Sequence, residues 1–158
     1  MMEVSLGERT EETAAVYFER TRSAAIQRFL PQKARTLEEA LADFRKTREP
    51  GAESFGRTIQ ADGRYVGDVW CYCMDPSGDP QAMVSYCVFE TALWGHGIAA
   101  RALGLFLAEL RERFGLERVG AFTFSENAAS IRVLEKNGFH REESFTEDGV
   151  ESGYYLRQ

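Results

Sequence analysis

Residues Ser85 to Leu110 run from a β-rich stretch, Ser-Tyr-Cys-Val-Phe-Glu, through Trp94-Gly95-His96-Gly97-Ile98-Ala99-Ala100-Arg101 into a segment where Leu103, Phe106, Leu107, Leu110 and Phe114 recur at helical spacing. A strand that feeds a helix through glycines leaves the first-turn N–H groups without intrahelical partners, and the helix dipole favours an anion at that end. Gly95 and Gly97 permit positive φ and the close approach of a phosphate. The stretch is therefore a candidate pyrophosphate cradle, with a purely structural tight turn as the alternative that the glycines alone leave open. It is not a Walker A loop, because no Gly-Lys-Ser/Thr follows. It meets the dinucleotide fingerprint G-x-G-x-x-G except at the last position, where the tolerated Ala100 stands. No acidic residue is placed for a ribose after a second βα unit, which counts against a dinucleotide.

A second stretch with chemistry in it is Ser125-Glu126-Asn127-Ala128-Ala129-Ser130, leading to Gly138-Phe139. Asn127 reads as the N-cap of a helix beginning at Ala128. Ser130 is a hydroxyl in the first turn, where serine readily bonds its own helix.

The elements that must position these residues are legible in part. Val4-Ser5-Leu6 suits a short strand. Thr10 to Phe29 reads helical with a break near Thr21-Arg22 and a stop at Pro31. Thr36-Leu-Glu-Glu is a capping-box pattern opening a helix through Leu41 and Phe44, which Pro50-Gly51 ends. Strands follow at Ser54–Gln60, Tyr65–Met74 and Gln81–Phe89, the first two joined by the hairpin turn Ala61-Asp62-Gly63 and the next pair by Asp75-Pro-Ser-Gly-Asp-Pro. A strand Arg118–Phe124, the helix after Asn127, and strands near Phe139–Thr146 and Val150–Arg157 around Asp148-Gly149 complete a mixed sheet with helices on its faces. This is an α/β (α+β) sandwich.

The two motifs together resemble the GNAT N-acetyltransferases, and within them the RimJ/RimL type that acts on ribosomal-protein N-termini. The family cradle runs Q/R-x-x-G-x-G/A; this chain matches at Gly97 and Ala99 and departs at Trp94. The second signature, N-x-x-A/S and then a helix ending in G-F, is met by Asn127, Ser130, Gly138 and Phe139. The resemblance covers residues 64–157 well and the first sixty poorly. It implies one GNAT domain over 1–158, with a mostly antiparallel sheet of about seven strands, splayed at the acyl-CoA site and flanked by about four helices. It also implies acetyl-CoA as cofactor, no metal, and an amine-bearing acceptor, either a protein N-terminus or a small molecule.

Transfer of an acetyl group from a thioester to an amine requires the cofactor to be held and the carbonyl oxygen's developing charge to be met by donors. The amine must also lose a proton, and the leaving thiolate gains one. Much of the rate can come from holding both reactants together. The resemblance gives cofactor binding to the turn Trp94, Gly95, His96, Gly97, Ile98, Ala99 and Arg101, with His96 and Arg101 adding charge. It places a strand splay, often at a bulge, at Cys87-Val88-Phe89, where pantetheine adds like a strand. A free N–H of Val88 or Phe89 would face the thioester oxygen. Asn127 would bond the pantetheine arm as well as cap its helix. Many relatives carry a tyrosine general acid where Leu134 stands, and a glutamate where Phe122 stands. In the RimJ/RimL type a serine at the Ser130 position faces the sulfur. Glu90 is the first candidate base, followed by Glu126, Glu147 and Asp148; proton loss through water needs none of them. The early helices would wall the acceptor cleft, making Tyr17, Phe29 and Leu30 candidate contacts or simply core.

The 158 residues carry 19 bases and 25 acids, a net charge of −6. That argues against nucleic acid as main partner and suits a cationic acceptor, though mild acidity also serves solubility alone. There is no signal pattern and no apolar run of membrane-spanning length. Cys71 and Cys73, two apart on one strand face, and Cys87 fit neither a disulfide framework nor a metal site; they read as small buried hydrophobes in a reducing cytoplasm. Three readings stay open beside acetyl transfer: a longer acyl-CoA donor, a catalytically idle CoA-sensing module, and a nucleotide-binding domain. Pairing into a homodimer through terminal strands is a further implication of the resemblance.

Overall fold

Capping chemistry sets the helix boundaries. The computed structural model describes residues 2–31 and 34–158. In it Thr10 caps α1 (Glu11–Arg20) by accepting the Thr13 N–H, and the Thr13 hydroxyl oxygen accepts the Thr10 N–H in return. The helix breaks at Thr21, whose hydroxyl donates to the Tyr17 carbonyl at 2.6 Å. The chain resumes as the single turn α2 (Ala24–Gln27), which ends before Pro31 rather than at it. This break explains why five α-helices stand among the described residues where about four were expected. Thr36 caps α3 (Leu37–Thr47) as its pattern predicts, but the Glu39 carboxylate accepts the Arg35 N–H at 2.8 Å instead of closing on Thr36.

Among the described residues seven strands form one sheet in the order β1-β2-β3-β4-β5-β7-β6: β1 (Val4–Gly7), β2 (Phe55–Ala61), β3 (Arg64–Tyr72), β4 (Ala82–Val88), β5 (Val119–Phe124), β6 (His140–Glu147) and β7 (Val150–Arg157). The two Asp-Gly turns take positive φ at both residues, Asp62 and Gly63, then Asp148 and Gly149, as two-residue hairpins require. Strand β3 ends two residues earlier than expected. Cys73 turns out with φ 54° and is exposed, so it shares neither the strand nor the buried state of Cys71 and Cys87.

Every strand pairing is antiparallel except β4 with β5. Those two are parallel because α4 (Ile98–Phe114) crosses between them. Their ladder has two rungs, Ala82 to Val119 and Met83 to Gly120. From Val84 and Ala121 onward the strands diverge. Helices α4 and α5 (Ala128–Lys136) cover one face, where Val69, Val84, Ile98, Leu103, Phe106, Leu110, Leu134 and Phe139 form the main core. A second cluster of Ile26, Cys87 and Phe89, with Tyr17, Leu30, Tyr65 and Trp70 against it, packs beside α1 and α2. A buried carboxylate sits nearby. Asp68 accepts from Arg9 Nε at 3.1 Å and from the Tyr65 hydroxyl at 2.7 Å.

Candidate active site between the diverging strands

The wedge between β4 and β5 holds a cleft of about 510 Å³ lined by residues from α2, β4, the α4 turn, β5 and α5. The phase of β4 decides what its edge offers. The Phe89 N–H donates to the Val66 carbonyl at 2.8 Å, and Val88 pairs opposite Gly67. Alternation along an antiparallel ladder then turns the N–H and C=O groups of Val84, Tyr86 and Val88 away from β3 and towards the splay. Of the two donors nominated from sequence, Phe89 is thus occupied and Val88 is the one that faces the open side. The β3–β4 register runs without a shift from Gly67/Val88 to Tyr72/Met83, so the splay forms without the anticipated bulge.

Gly67 makes this approach feasible. A Cβ there would lie 2.1 Å from the Cys87 carbonyl oxygen.

Trp94, the departure from the expected cradle pattern, has a local role: its indole Nε1 donates to the Val88 carbonyl at 2.7 Å. One edge group of β4 is thereby satisfied while the ring stays 47 % exposed at the cleft. Gly95 and Gly97 take φ of 85° and 76°, and Gly97 opens α4 with no side-chain cap. The first-turn N–H groups therefore point at the cleft without an intrahelical partner. Gly95, Gly97, Ile98 and Ala99 all line it. His96 does not. Arg101 is spent on the backbone, donating to the carbonyls of Met2 (2.5 Å), His96 (3.2 Å) and Gly97 (3.3 Å), so it braces the turn rather than offering a free charge.

Asn127 Oδ1 accepts the Ser130 N–H at 3.1 Å, the N-cap expected for α5. Ser130 Oγ lies 2.8 Å from the Tyr86 hydroxyl, a contact between positions 44 apart that nothing in the sequence signals. Burial pushes the Tyr86 phenol well above the usual tyrosine range. Arg132 and Lys136, one helical turn apart on α5, also line the cleft; their i, i+4 spacing is the only mark of them in the sequence.

Glu90 forms an ion pair with Arg20, which also lies over the Phe89 ring at 5.0 Å. Glu126 lines the cleft, 3.9 Å from Arg28, whereas Glu147 and Asp148 lie at the β6–β7 turn, away from it. Phe29 and Leu30 line the cleft; Tyr17 is half-buried, packed against Cys87 and Phe89, and does not line it. Burial pushes the Cys71 and Cys87 thiols up to about 12, which makes them poor nucleophiles. Among the described residues no group of His, Cys, Asp or Glu could hold a metal ion. No helix among them is long and apolar enough to cross a membrane.

A family model described as the acetyltransferase (GNAT) domain matches residues 6–140. The chain belongs to the GNAT acetyltransferase family. The match reaches back through α1 to α3, where the sequence resemblance was faint. The chain is 32 % identical over 88 residues to the probable N-acetyltransferase YjcK of Bacillus subtilis (strain 168), a match over 56 % of this chain and 48 % of that protein, so it spans about half the length of that relative. Solved structures share the GNAT fold at low identity. RimL, a ribosomal L7/L12 α-N-protein acetyltransferase in complex with coenzyme A, has a TM-score of 0.82 at 18 % identity over 98 % of this chain and 93 % of that one. Mycobacterium smegmatis RimJ with a CoA disulfide has 0.81 at 20 % over 97 % and 80 %. The aminoglycoside acetyltransferase AAC(6')-Ib, with ribostamycin and coenzyme A, has 0.81 at 17 % over 99 % and 93 %.

Proposed function

We propose that this GNAT chain, a single domain over 1–158, transfers an acetyl group from acetyl-CoA to a primary amine by direct attack within a ternary complex. The observation that carries the reading is the two-rung β4–β5 contact, which leaves the β4 edge open beside the uncapped end of α4. The donor supplies an activated acetyl thioester. The chain's residues supply placement. N–H groups from Gly97 to Ala100, with the helix dipole behind them, suit the pyrophosphate, and the edge groups of Val84, Tyr86 and Val88 suit the pantetheine amides as a missing strand would. The Val88 N–H meets the charge that develops on the thioester oxygen. Asn127 caps α5 and presents its amide to the same arm. Ser130 offers a hydrogen bond to the leaving sulfur.

The acceptor enters past Phe29 and Leu30. Glu90 is engaged in an ion pair with the Arg20 guanidinium, and the amine loses its proton to water before attack. This favours an acceptor of low pKa. An α-amine, with pKa near ~8, is partly neutral at pH 7.5, whereas a lysine-like amine near ~10.4 is almost wholly charged. A protein N-terminus is therefore the leading acceptor, a reading supported by the neighbour RimL, an α-N-protein acetyltransferase; small-molecule amines follow. The proposed setting is the cytoplasm, with no nucleic-acid or membrane partner and with the homodimer as the form to test by mass.

The test is a thermal-melt titration with acetyl-CoA, CoA and NAD on the wild type and on Gly97→Glu. Both CoA species are expected to raise the melting temperature, NAD is not, and the folded variant loses the response. Acetyl-dependent release of free thiol with a peptide acceptor separates an enzyme from an idle CoA-binding module. No shift with millimolar CoA would overturn the reading.

A further inference from the structure

We propose that Tyr86 is a positioning residue for the leaving sulfur: its phenol donates to Ser130 Oγ and so turns the serine's own hydrogen into the cleft. The inference rests on the acetyl-transfer reading above and assigns a role that no motif in the sequence carries.

The geometry offers the phenol two acceptors on one residue. Its oxygen lies 2.8 Å from Ser130 Oγ and 3.1 Å from the Ser130 carbonyl. That carbonyl, in the first turn of α5, also receives a helix N–H from one turn on, so the hydroxyl is the less satisfied acceptor as well as the nearer one. Ser130 N–H is fixed on Asn127 Oδ1. The serine is thus held at three atoms, and its O–H is the group left to point elsewhere. Both Tyr86 and Ser130 line the cleft.

Burial keeps the phenol protonated at any working pH, and a thiol is the stronger acid of the two. Tyr86 therefore supplies a hydrogen bond rather than a proton. Accepting from Tyr86 polarises the Ser130 O–H and strengthens what it can donate. The charged residues lining the cleft are Glu126, Arg132 and Lys136, all from α5 or the loop before it; α2, β4, β5 and the α4 turn contribute uncharged side chains there. Leu134, on α5, is buried in the core and does not line the cleft, so it offers the sulfur nothing. The phenol reaches it from β4 instead, through Ser130.

The experiment measures the pKa of the thiol of bound CoA, followed by thiolate absorbance against the desulfo analogue as blank. It is run on the wild type, Tyr86→Phe, Ser130→Ala and the double variant. In the wild type the bound thiol is expected to titrate below free CoA. Ser130→Ala raises it by about one unit, a tenfold loss of thiolate, and Tyr86→Phe alone raises it by at least half as much. The double variant should equal Ser130→Ala, because Tyr86 acts through Oγ. A purely structural clamp on the Ser130 carbonyl survives Ser130→Ala, so additive shifts would overturn the proposal, as would an unchanged thiol pKa in Tyr86→Phe. Should Tyr86→Phe fail to fold, 3-fluorotyrosine at position 86 keeps the ring and strengthens the donor; the thiol pKa should then fall, and no change counts against the role. A wild type that binds CoA yet gives these negative results sinks Tyr86 alone, whereas failure to bind CoA sinks the acetyl-transfer reading too.

Discussion

Gly67 and Gly97 are glycine for different reasons, and alanine separates them. At Gly97 nothing lies within 4 Å of an added Cβ, but φ is 76°, so Gly97→Ala costs about 1 kcal/mol of backbone strain and leaves the fold intact. At Gly67 the added Cβ meets backbone 2.1 Å away. Gly67→Ala must push β3 off β4 beside Val88, at about 3 kcal/mol. Urea melts check both, and equal losses would contradict the geometry. Asp68 gives a pH signature. Burial outweighs the Arg9 and Tyr65 contacts and pushes its carboxyl from 3.8 up to about 6. The folded state then binds this proton more tightly than the unfolded chain, so the contribution to stability declines as pH rises from 3.8 through 6. Glu109 runs the other way, because the Arg57 guanidinium holds it low; its stabilisation is present at neutral pH and is lost on acidification. In Asp68→Asn, stability should rise more steeply between pH 4 and 6 than in the wild type. Parallel profiles would show that Asp68 titrates normally. For the reaction, the rate should climb with pH along the acceptor amine's own titration, and Glu90→Gln should leave that midpoint in place; a midpoint that vanishes with Glu90 would make it the base.

At the scale of elements, α5 is placed by its ends. Asn127 caps one end. At the other Asn137 donates to the Val133 and Ala100 carbonyls at 2.9 and 3.0 Å, tying α5 to the first turn of α4, and its own carbonyl accepts from Arg157 Nε. Gly138, at φ 82°, ends the helix and seats Phe139 in the core. Asn137→Ala should cost about 1–3 kcal/mol, since it leaves partly buried carbonyls short of a donor, and should weaken CoA binding although Asn137 does not line the cleft. Unaltered affinity would separate helix placement from binding. Much of this was legible: the Asp-Gly hairpins, the caps at Thr36 and Asn127, and the Gly-Phe stop are local chemistry. What was hidden depended on pairing. Which of Val88 and Phe89 offers its N–H is a matter of phase, and phase is fixed by β3, some twenty positions away. Tyr86 carries no mark in the sequence beyond its place in a strand, because its partner Ser130 lies 44 positions away on α5. Cys73 reads as strand because a cysteine carries no sequence mark of positive φ, as glycine or an aspartate in a turn does.

At the scale of the molecule, the sheet is two leaves. Strands β1 to β4 form one and β5, β7 and β6 the other, sewn together by two rungs and by helix packing across the seam. The exposed strand β6 closes one edge with Glu142, Glu143 and Glu147, and such charges discourage another strand from adding there. A homodimer built through that edge would juxtapose like charges, so a pairing made there should loosen at low salt and tighten at high salt, as sedimentation at two ionic strengths would reveal. The seam has a consequence for the life of the protein in a cell. A ligand that laces both leaves together binds only the closed chain, and at a hundred times its Kd it withholds about 2.7 kcal/mol from opening. Proteases that sample the opened form feel that difference as a roughly hundredfold change in cleavable population. Under starvation for the ligand, unladen copies would be degraded first, so the abundance of this protein would follow the supply of the molecule that fills its seam.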